Sequence, residues 1–122
     1  MNDNTFFFDT YALIEIIKGN PNYKNYTNSK IITSVFNLAE LNHILKKEMS
    51  KEKADNYTKD YSPFVVKVEL IDIFNAMDFK TKNHKLSIPD AIGYLIARRY
   101  GIKFLTGDGD FEYLDNVEFI KK

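Results

Sequence analysis

Acidic side chains stand at points of the chain where the sequence predicts that a strand ends or a helix begins. Asp9 directly follows the aromatic run 5–8, and Asp108 and Asp110 follow the apolar segment 102–105. Both segments have the length and the residue content of buried strands. Because ligands bind outside the carboxyl ends of the strands in a parallel sheet, we expect these acids to lie along one edge.

Two further acids belong to the same predicted edge. Asp90 opens the helix that leads into the strand at 102–105, and Glu40 lies early in the helix after the second predicted strand. Carboxylates held close together repel one another and favour uptake of protons unless a cation compensates them. Oxygen ligands favour Mg²⁺ or Mn²⁺ over zinc or copper. The sequence therefore predicts that four acids surround a divalent cation: Asp9, Glu40, Asp90 and Asp108.

This set of ligands indicates a particular chemistry. Magnesium held by few carboxylates keeps bound waters, and it can both supply a nucleophile and neutralise charge that develops on phosphate oxygens. Hydrolysis of a phosphodiester is the reaction that we infer from these residues. Each acid also has a structural reading as a helix cap, a turn residue or a solvated side chain. This structural reading applies to the acids Asp9, Glu40, Asp90, Asp108 and Asp110, and Thr10 could likewise be only a helix cap.

Regular elements alternate along the chain in a way that is typical of an α/β domain with a mostly parallel sheet. We predict strands at 5–8, 30–33, 65–70, 102–105 and 117–120, the last at an edge. We predict helices at 11–17, 35 to about 49, 51–61, 71–77 and from Asp90 onward, with a basic loop at 80–85. At 122 residues the whole chain, 1–122, is expected to form one domain with a single core.

Composition excludes several classes of protein. The chain has no cysteine, so a disulfide framework, a thiolate metal site and a cysteine nucleophile are ruled out. Seventeen basic and seventeen acidic residues cancel, which argues against binding of nucleic acid through bulk positive charge. The first residues do not resemble a leader peptide and no apolar run is long enough for a bilayer, so a cytoplasmic protein is expected.

Four basic side chains are candidates for contact with an RNA backbone. Lys46 and Lys47 lie in a lysine-rich stretch, and Arg98 and Arg99 end the helix that Asp90 opens. Each pair also has an ordinary reading, because charge runs usually form a solvated face and cations complement the dipole at a helix C-terminus.

Four short motifs occur in order along the chain: Phe-Phe-Asp9-Thr10, Leu38-Ala-Glu40-Leu41, Ser87-Ile-Pro-Asp90-Ala91 and Leu105-Thr106-Gly-Asp108-Gly-Asp110-Phe111. Together they resemble a PIN domain, and especially the small VapC-type toxins of toxin–antitoxin pairs. The resemblance implies a parallel sheet of about five strands flanked by helices, a pocket that binds Mg²⁺ or Mn²⁺, and endoribonuclease activity. It also implies a homodimer and inhibition by a cognate antitoxin.

The resemblance implies roles for individual residues as well. Asp9, Glu40, Asp90 and Asp108 match the four catalytic acids of the family, and Asp110 matches a less regular fifth acid. The metal ligands would then be Asp9, Asp90, Asp108 and Asp110, and the hydroxyl residues that organise the pocket would be Thr106 and Thr10.

Two departures from the family pattern occur near these motifs. Tyr11 stands where the family often has a small residue, which predicts a narrower pocket mouth, and Gly107 and Gly109 predict a more mobile loop. Three alternatives stay open: a PIN nuclease of RNA processing without an antitoxin, a catalytically silent PIN-like interaction domain, and a receiver-like signalling domain. A receiver needs adjacent acids after the first strand and a lysine after the last, and this sequence fits that pattern badly.

Overall fold

A computed structural model of the protein describes residues 4–121. The described chain contains a parallel four-stranded sheet in the order β2-β1-β3-β4, made of β1 (Thr5–Phe8), β2 (Lys30–Ile32), β3 (Lys103–Thr106) and β4 (Val117–Phe119). Five α-helices flank it: α1 (Thr10–Ile17), α2 (Val35–Glu48), α3 (Lys51–Tyr61), α4 (Leu70–Lys82) and α5 (Ile88–Arg99). Short 3-10 helices lie at Pro21–Tyr26, Ser62–Phe64 and Gly109–Phe111. The α/β class with a parallel sheet is confirmed.

The sheet has four strands in the described residues rather than about five, because the predicted strand at 65–70 does not form. Only Val65 pairs with the sheet, in an isolated parallel bridge to Thr33. Glu69 then caps α4 in a capping box with Asp72, so the chain turns into a helix before it can extend along the edge. Helix α4 also ends five residues later than predicted, at Lys82, so the basic segment 80–85 begins inside its last turn.

Alternate residues of the central strands point to opposite faces of the sheet, and each face carries its own apolar cluster. Phe7 and Phe104 pack with α4 and α5, whereas Phe8 and Leu105 pack with α1, α2 and α3. Helix α5 is buried on two sides, as predicted, and Gly93 allows it to approach the sheet closely. A Cβ on Gly93 would lie 2.9 Å from Cε1 of Phe7.

None of the helices in residues 4–121 combines the length and the apolar character that a membrane span requires.

Candidate active site

Asp9 lies at the carboxyl end of the central strand β1 and is also the N-cap of α1. Its Oδ1 accepts a hydrogen bond from the backbone N–H of Ala12 at 2.8 Å. Its Oδ2 accepts one from the hydroxyl of Thr106, at the end of the neighbouring strand β3, at 2.5 Å. The structural and the functional readings of Asp9 are therefore compatible, since the same bonds that cap the helix orient the carboxylate.

The four predicted acids line one pocket. The pocket has a volume of about 210 Å³ and lies at the carboxyl edge of the sheet. Asp9 comes from β1, Glu40 from α2, Asp90 from the first turn of α5, and Asp108 from the loop after β3. The other lining residues are Thr10, Tyr11, Ile14 and Ile44. The parallel topology thus brings together side chains that are up to 99 positions apart in the sequence, from 9 to 108.

Electrostatic conditions in this pocket favour protons or a cation. The pKa of Asp9 is raised to about 8, chiefly by burial and in smaller part by the charges of Asp90 and Asp108, which together outweigh the lowering effect of its hydrogen bonds. Burial also raises the pKa of Asp90, again with a contribution from the neighbouring acids Asp108 and Glu40. No lysine or arginine of residues 4–121 lines the pocket. A bound cation would relieve this repulsion.

Hydroxyl and amide side chains hold the acids in place. The hydroxyl of Thr10 donates to Oε1 of Glu40 at 2.6 Å, and Nδ2 of Asn37 donates to the Thr10 hydroxyl at 3.2 Å. The buried Asn37 is a support that the sequence analysis missed. The sequence could have indicated this role, because Asn37 lies three residues before Glu40 and therefore on the same side of α2.

The loop after β3 separates Asp108 from Asp110. Asp108 caps the 3-10 helix at Gly109–Phe111, its Oδ1 accepts from the N–H of Asp110 at 2.9 Å, and its own N–H donates to the Thr106 hydroxyl at 3.0 Å. Asp110 does not line the acidic pocket but faces a neighbouring cavity. Its role as a metal ligand remains a prediction.

Tyr11 forms part of the pocket wall, which agrees with a reshaped mouth. Its ring lies over Gly107, where an added Cβ would be only 2.2 Å from Cε1 of Tyr11 and 2.7 Å from the carbonyl oxygen of Ile120. Gly107 is thus required by close packing. Around Gly109, in contrast, no atom of the described residues lies within 4 Å of an added Cβ.

The oxygen atoms of the pocket wall are suitable ligands for a hard divalent cation, although the carboxylates do not lie close enough together for direct coordination. Within residues 4–121, no three histidine or acidic side chains are close enough to hold a metal as they stand. Every polar side chain on the pocket wall offers oxygen, the atom that Mg²⁺ and Mn²⁺ prefer. Asp9, Asp90 and Asp108 are the residues that would hold such an ion.

Most of the basic residues predicted to contact RNA are engaged elsewhere. Lys46 pairs with Asp55 at 3.0 Å, Arg98 pairs with Asp115, and Arg99 pairs with the buried Asp72 at 2.7 Å. Lys47 has no ion pair within the described part of the chain. The two arginines therefore tie α5 to other elements, and the RNA-binding roles of all four residues stay predictions.

Comparisons with known proteins agree with this architecture. A toxin–antitoxin complex from Klebsiella pneumoniae contains a similar chain, with a TM-score of 0.74 and 19% identity over 93% of this chain and 95% of that one. VapBC2 from Rickettsia felis, solved bound to a DNA fragment from its promoter, gives a TM-score of 0.73 and 17% identity over 96% and 98%. At these identities the likeness shows a shared fold. No curated protein sequence matches.

A family comparison covers most of the chain. The profile of the PIN domain, a family of nucleases, matches residues 6–117, a span that includes all four acids of the pocket. The chain therefore belongs to the PIN domain family.

Proposed function

We propose that this protein is a metal-dependent endoribonuclease that hydrolyses RNA phosphodiester bonds. The observation that carries the proposal is the convergence of four carboxylates on one pocket, whose wall includes no lysine or arginine from the described part of the chain. Such a pocket is unfavourable for RNA by itself, because phosphate and carboxylate repel each other, and it becomes favourable once a cation is present.

Each acid has a distinct task in this proposal. A bound Mg²⁺ or Mn²⁺ would activate the attacking water and neutralise charge on the phosphate. Asp9 is held by two hydrogen bonds and would serve as the fixed central ligand, with Asp90 and Asp108 on either side. Glu40 has one oxygen held by Thr10, which leaves the other oxygen to orient the water and accept its proton.

Cleavage of labelled RNA with and without Mg²⁺ or Mn²⁺ tests the proposal. Asp9→Asn and Asp90→Asn should each lower the cleavage rate by about a hundredfold or more, since changes in the outer shell of a metal site alone cost about 10–100-fold. Asp60→Asn on α3 is a matched control that removes an exposed acid outside the pocket. Metal-independent cleavage, or full activity of both pocket variants, would refute metal-dependent cleavage at this pocket. No cleavage of any RNA would favour a silent interaction domain.

We further propose that the protein is the toxin of a VapBC-type pair, and that it forms a homodimer and binds a cognate antitoxin. An apolar stripe on α4 supports a protein partner, because Leu70, Ile71 and Phe74 are 62%, 50% and 56% exposed. Exposed apolar patches of this kind mark interaction surfaces. We assign this stripe to the antitoxin.

Expression in cells should arrest growth, and the product of an adjacent short reading frame should relieve the arrest and co-purify with the protein. Leu70→Glu with Phe74→Glu should abolish co-purification without changing the dimer seen by light scattering. A double variant that becomes monomeric would place the homodimer contact on α4 instead. A chain that cleaves RNA but lacks such a partner would be a nuclease of RNA processing.

A further inference from the structure

A second cavity lies beside the acidic pocket and has the opposite charge. This basic cavity has a volume of about 420 Å³ and is lined by Lys82, Asn83, His84, Lys85, Leu86 and Asp110. Its size is within the range of small-ligand sites. It is formed by the connection between α4 and α5, so it incorporates most of the basic segment that the sequence analysis noted at 80–85.

The two lysines of the basic cavity are available to a ligand. Lys82 and Lys85 are exposed, and neither forms an ion pair within residues 4–121. In contrast, Arg98 and Arg99 are committed to acids of the protein itself. The connection between α4 and α5 thus offers two lysine side chains that are not taken up by ion pairs within residues 4–121.

This connection has a defined conformation. The ammonium of Lys80 donates to the carbonyl of Leu86 at 2.7 Å, and Nδ2 of Asn83 donates to the carbonyl of Phe79 at 2.9 Å. The N–H of Leu86 also donates to the carbonyl of Asn83 at 3.2 Å. Because the backbone is already ordered, a ligand would not have to bear the full cost of ordering it.

The basic cavity and the acidic pocket are connected at two places. Ser87 joins their walls: it follows Leu86 of the basic cavity, and its hydroxyl accepts a hydrogen bond at 3.2 Å from the N–H of Asp90 in the acidic pocket. Asp110 in the basic cavity donates its N–H to the carboxylate of Asp108 in the acidic pocket. A single extended strand of RNA can therefore reach both cavities.

We propose that the basic cavity binds a backbone phosphate of the RNA strand, next to the bond that is cut in the acidic pocket. The inference rests on the proposed function and adds a substrate subsite to it. Lys82 and Lys85 supply the charge for one phosphate. Asp110 repels phosphate and so keeps it on the lysine side of the cavity.

Fluorescence anisotropy with a short labelled single-stranded RNA of mixed sequence tests the subsite. Ca²⁺ replaces Mg²⁺ in the buffer as another hard cation for the carboxylates, and a denaturing gel verifies that the RNA stays intact. Lys82→Gln with Lys85→Gln should weaken binding about tenfold and should reduce the slope of log K against log salt by about 0.7, the value for one phosphate on a single strand. Lys82→Arg with Lys85→Arg should retain wild-type binding.

Lys24→Gln with Lys30→Gln is the matched control. Both lysines are exposed, Lys24 in the 3-10 helix Pro21–Tyr26 and Lys30 at the amino end of β2, and neither is among the described residues that line the acidic pocket or the basic cavity. An equal loss of RNA affinity in this control would overturn the proposal. An unchanged salt slope in the glutamine variant of Lys82 and Lys85 would also overturn it, as would a wild-type protein that binds no RNA. Cleavage in Mg²⁺ is measured separately. A protein that binds RNA through Lys82 and Lys85 but does not cleave it would refute the proposed ribonuclease activity, while the phosphate site in the basic cavity would be retained.

Discussion

The contact between Tyr11 and Gly107 offers a sharp test of how the pocket is packed. Gly107→Ala would place a Cβ 2.2 Å from Cε1 of Tyr11 and 2.7 Å from the carbonyl oxygen of Ile120. Carbon atoms in contact normally lie about 3.5–4.0 Å apart, so both neighbours would have to move. The Ile120 carbonyl resists this movement because it accepts a hydrogen bond from the Tyr23 hydroxyl at 2.7 Å.

The expected cost follows from overpacking, which typically destabilises a core by about 1–3 kcal/mol. Replacing glycine by alanine also restricts the unfolded chain, which returns about 0.4–1 kcal/mol. We expect Gly107→Ala to lower the free energy of unfolding by ~1–2 kcal/mol and Tm by roughly 4–8 °C. Urea and thermal unfolding followed by circular dichroism in EDTA measure both quantities without the stabilising effect of bound metal. RNA cleavage should also fall, because Asp108 follows the displaced residue.

Gly109→Ala is the control, since its added Cβ has no neighbour within 4 Å in the part of the chain that the structure describes. This variant should be neutral or slightly more stable than the wild type. Adding Tyr11→Ala to Gly107→Ala should recover part of the lost stability, but the clash with the Ile120 carbonyl would persist. Equal stability of Gly107→Ala and Gly109→Ala would refute the packing argument.

Three further predictions concern the core and the pocket. Arg99→Met should lower the free energy of unfolding in urea by about 1–3 kcal/mol, because it leaves the buried carboxylate of Asp72 without its counter-charge; a loss under 1 kcal/mol would contradict this. Gly93→Ala should lower Tm, because its Cβ would lie 2.9 Å from Cε1 of Phe7, and a raised Tm in calorimetry would mean that helix propensity outweighs the contact. The pKa of Asp9 is raised from 3.8 to about 8, so the native state retains a proton that the unfolded chain releases, and stability in EDTA should fall as the pH rises through about 8. Thermal unfolding at successive pH values should show a smaller loss of stability with pH for Asp9→Asn than for the wild type. An identical loss in the two proteins would exclude Asp9 as the cause of the pH dependence.

Local features of the structure were readable from the sequence because their causes are local. Ser34 and Ser87 cap α2 and α5 through bonds to residues three positions on, and helix Lys51–Tyr61 has the predicted bounds. The convergence of the four acids also follows from the sequence, since parallel strands bring their carboxyl ends to one edge. The catalytic and metal-binding roles of these residues remain proposals.

Other features depend on which distant segments meet, and only the tertiary structure decided them. Residues 65–70 could either extend a sheet edge or lead into the cap of α4. A local sequence pattern does not predict which of these two structures is more stable. No local pattern indicated that Arg99 pairs with Asp72, 27 positions away, and its role in RNA binding stays a prediction. The mobility predicted from Gly107 stays a prediction, but only the folded chain shows that this glycine packs against the ring of Tyr11. Sequence periodicity records hydrogen bonds and burial within one element, whereas the partner of a charge or the neighbour of a glycine is set by contacts between elements.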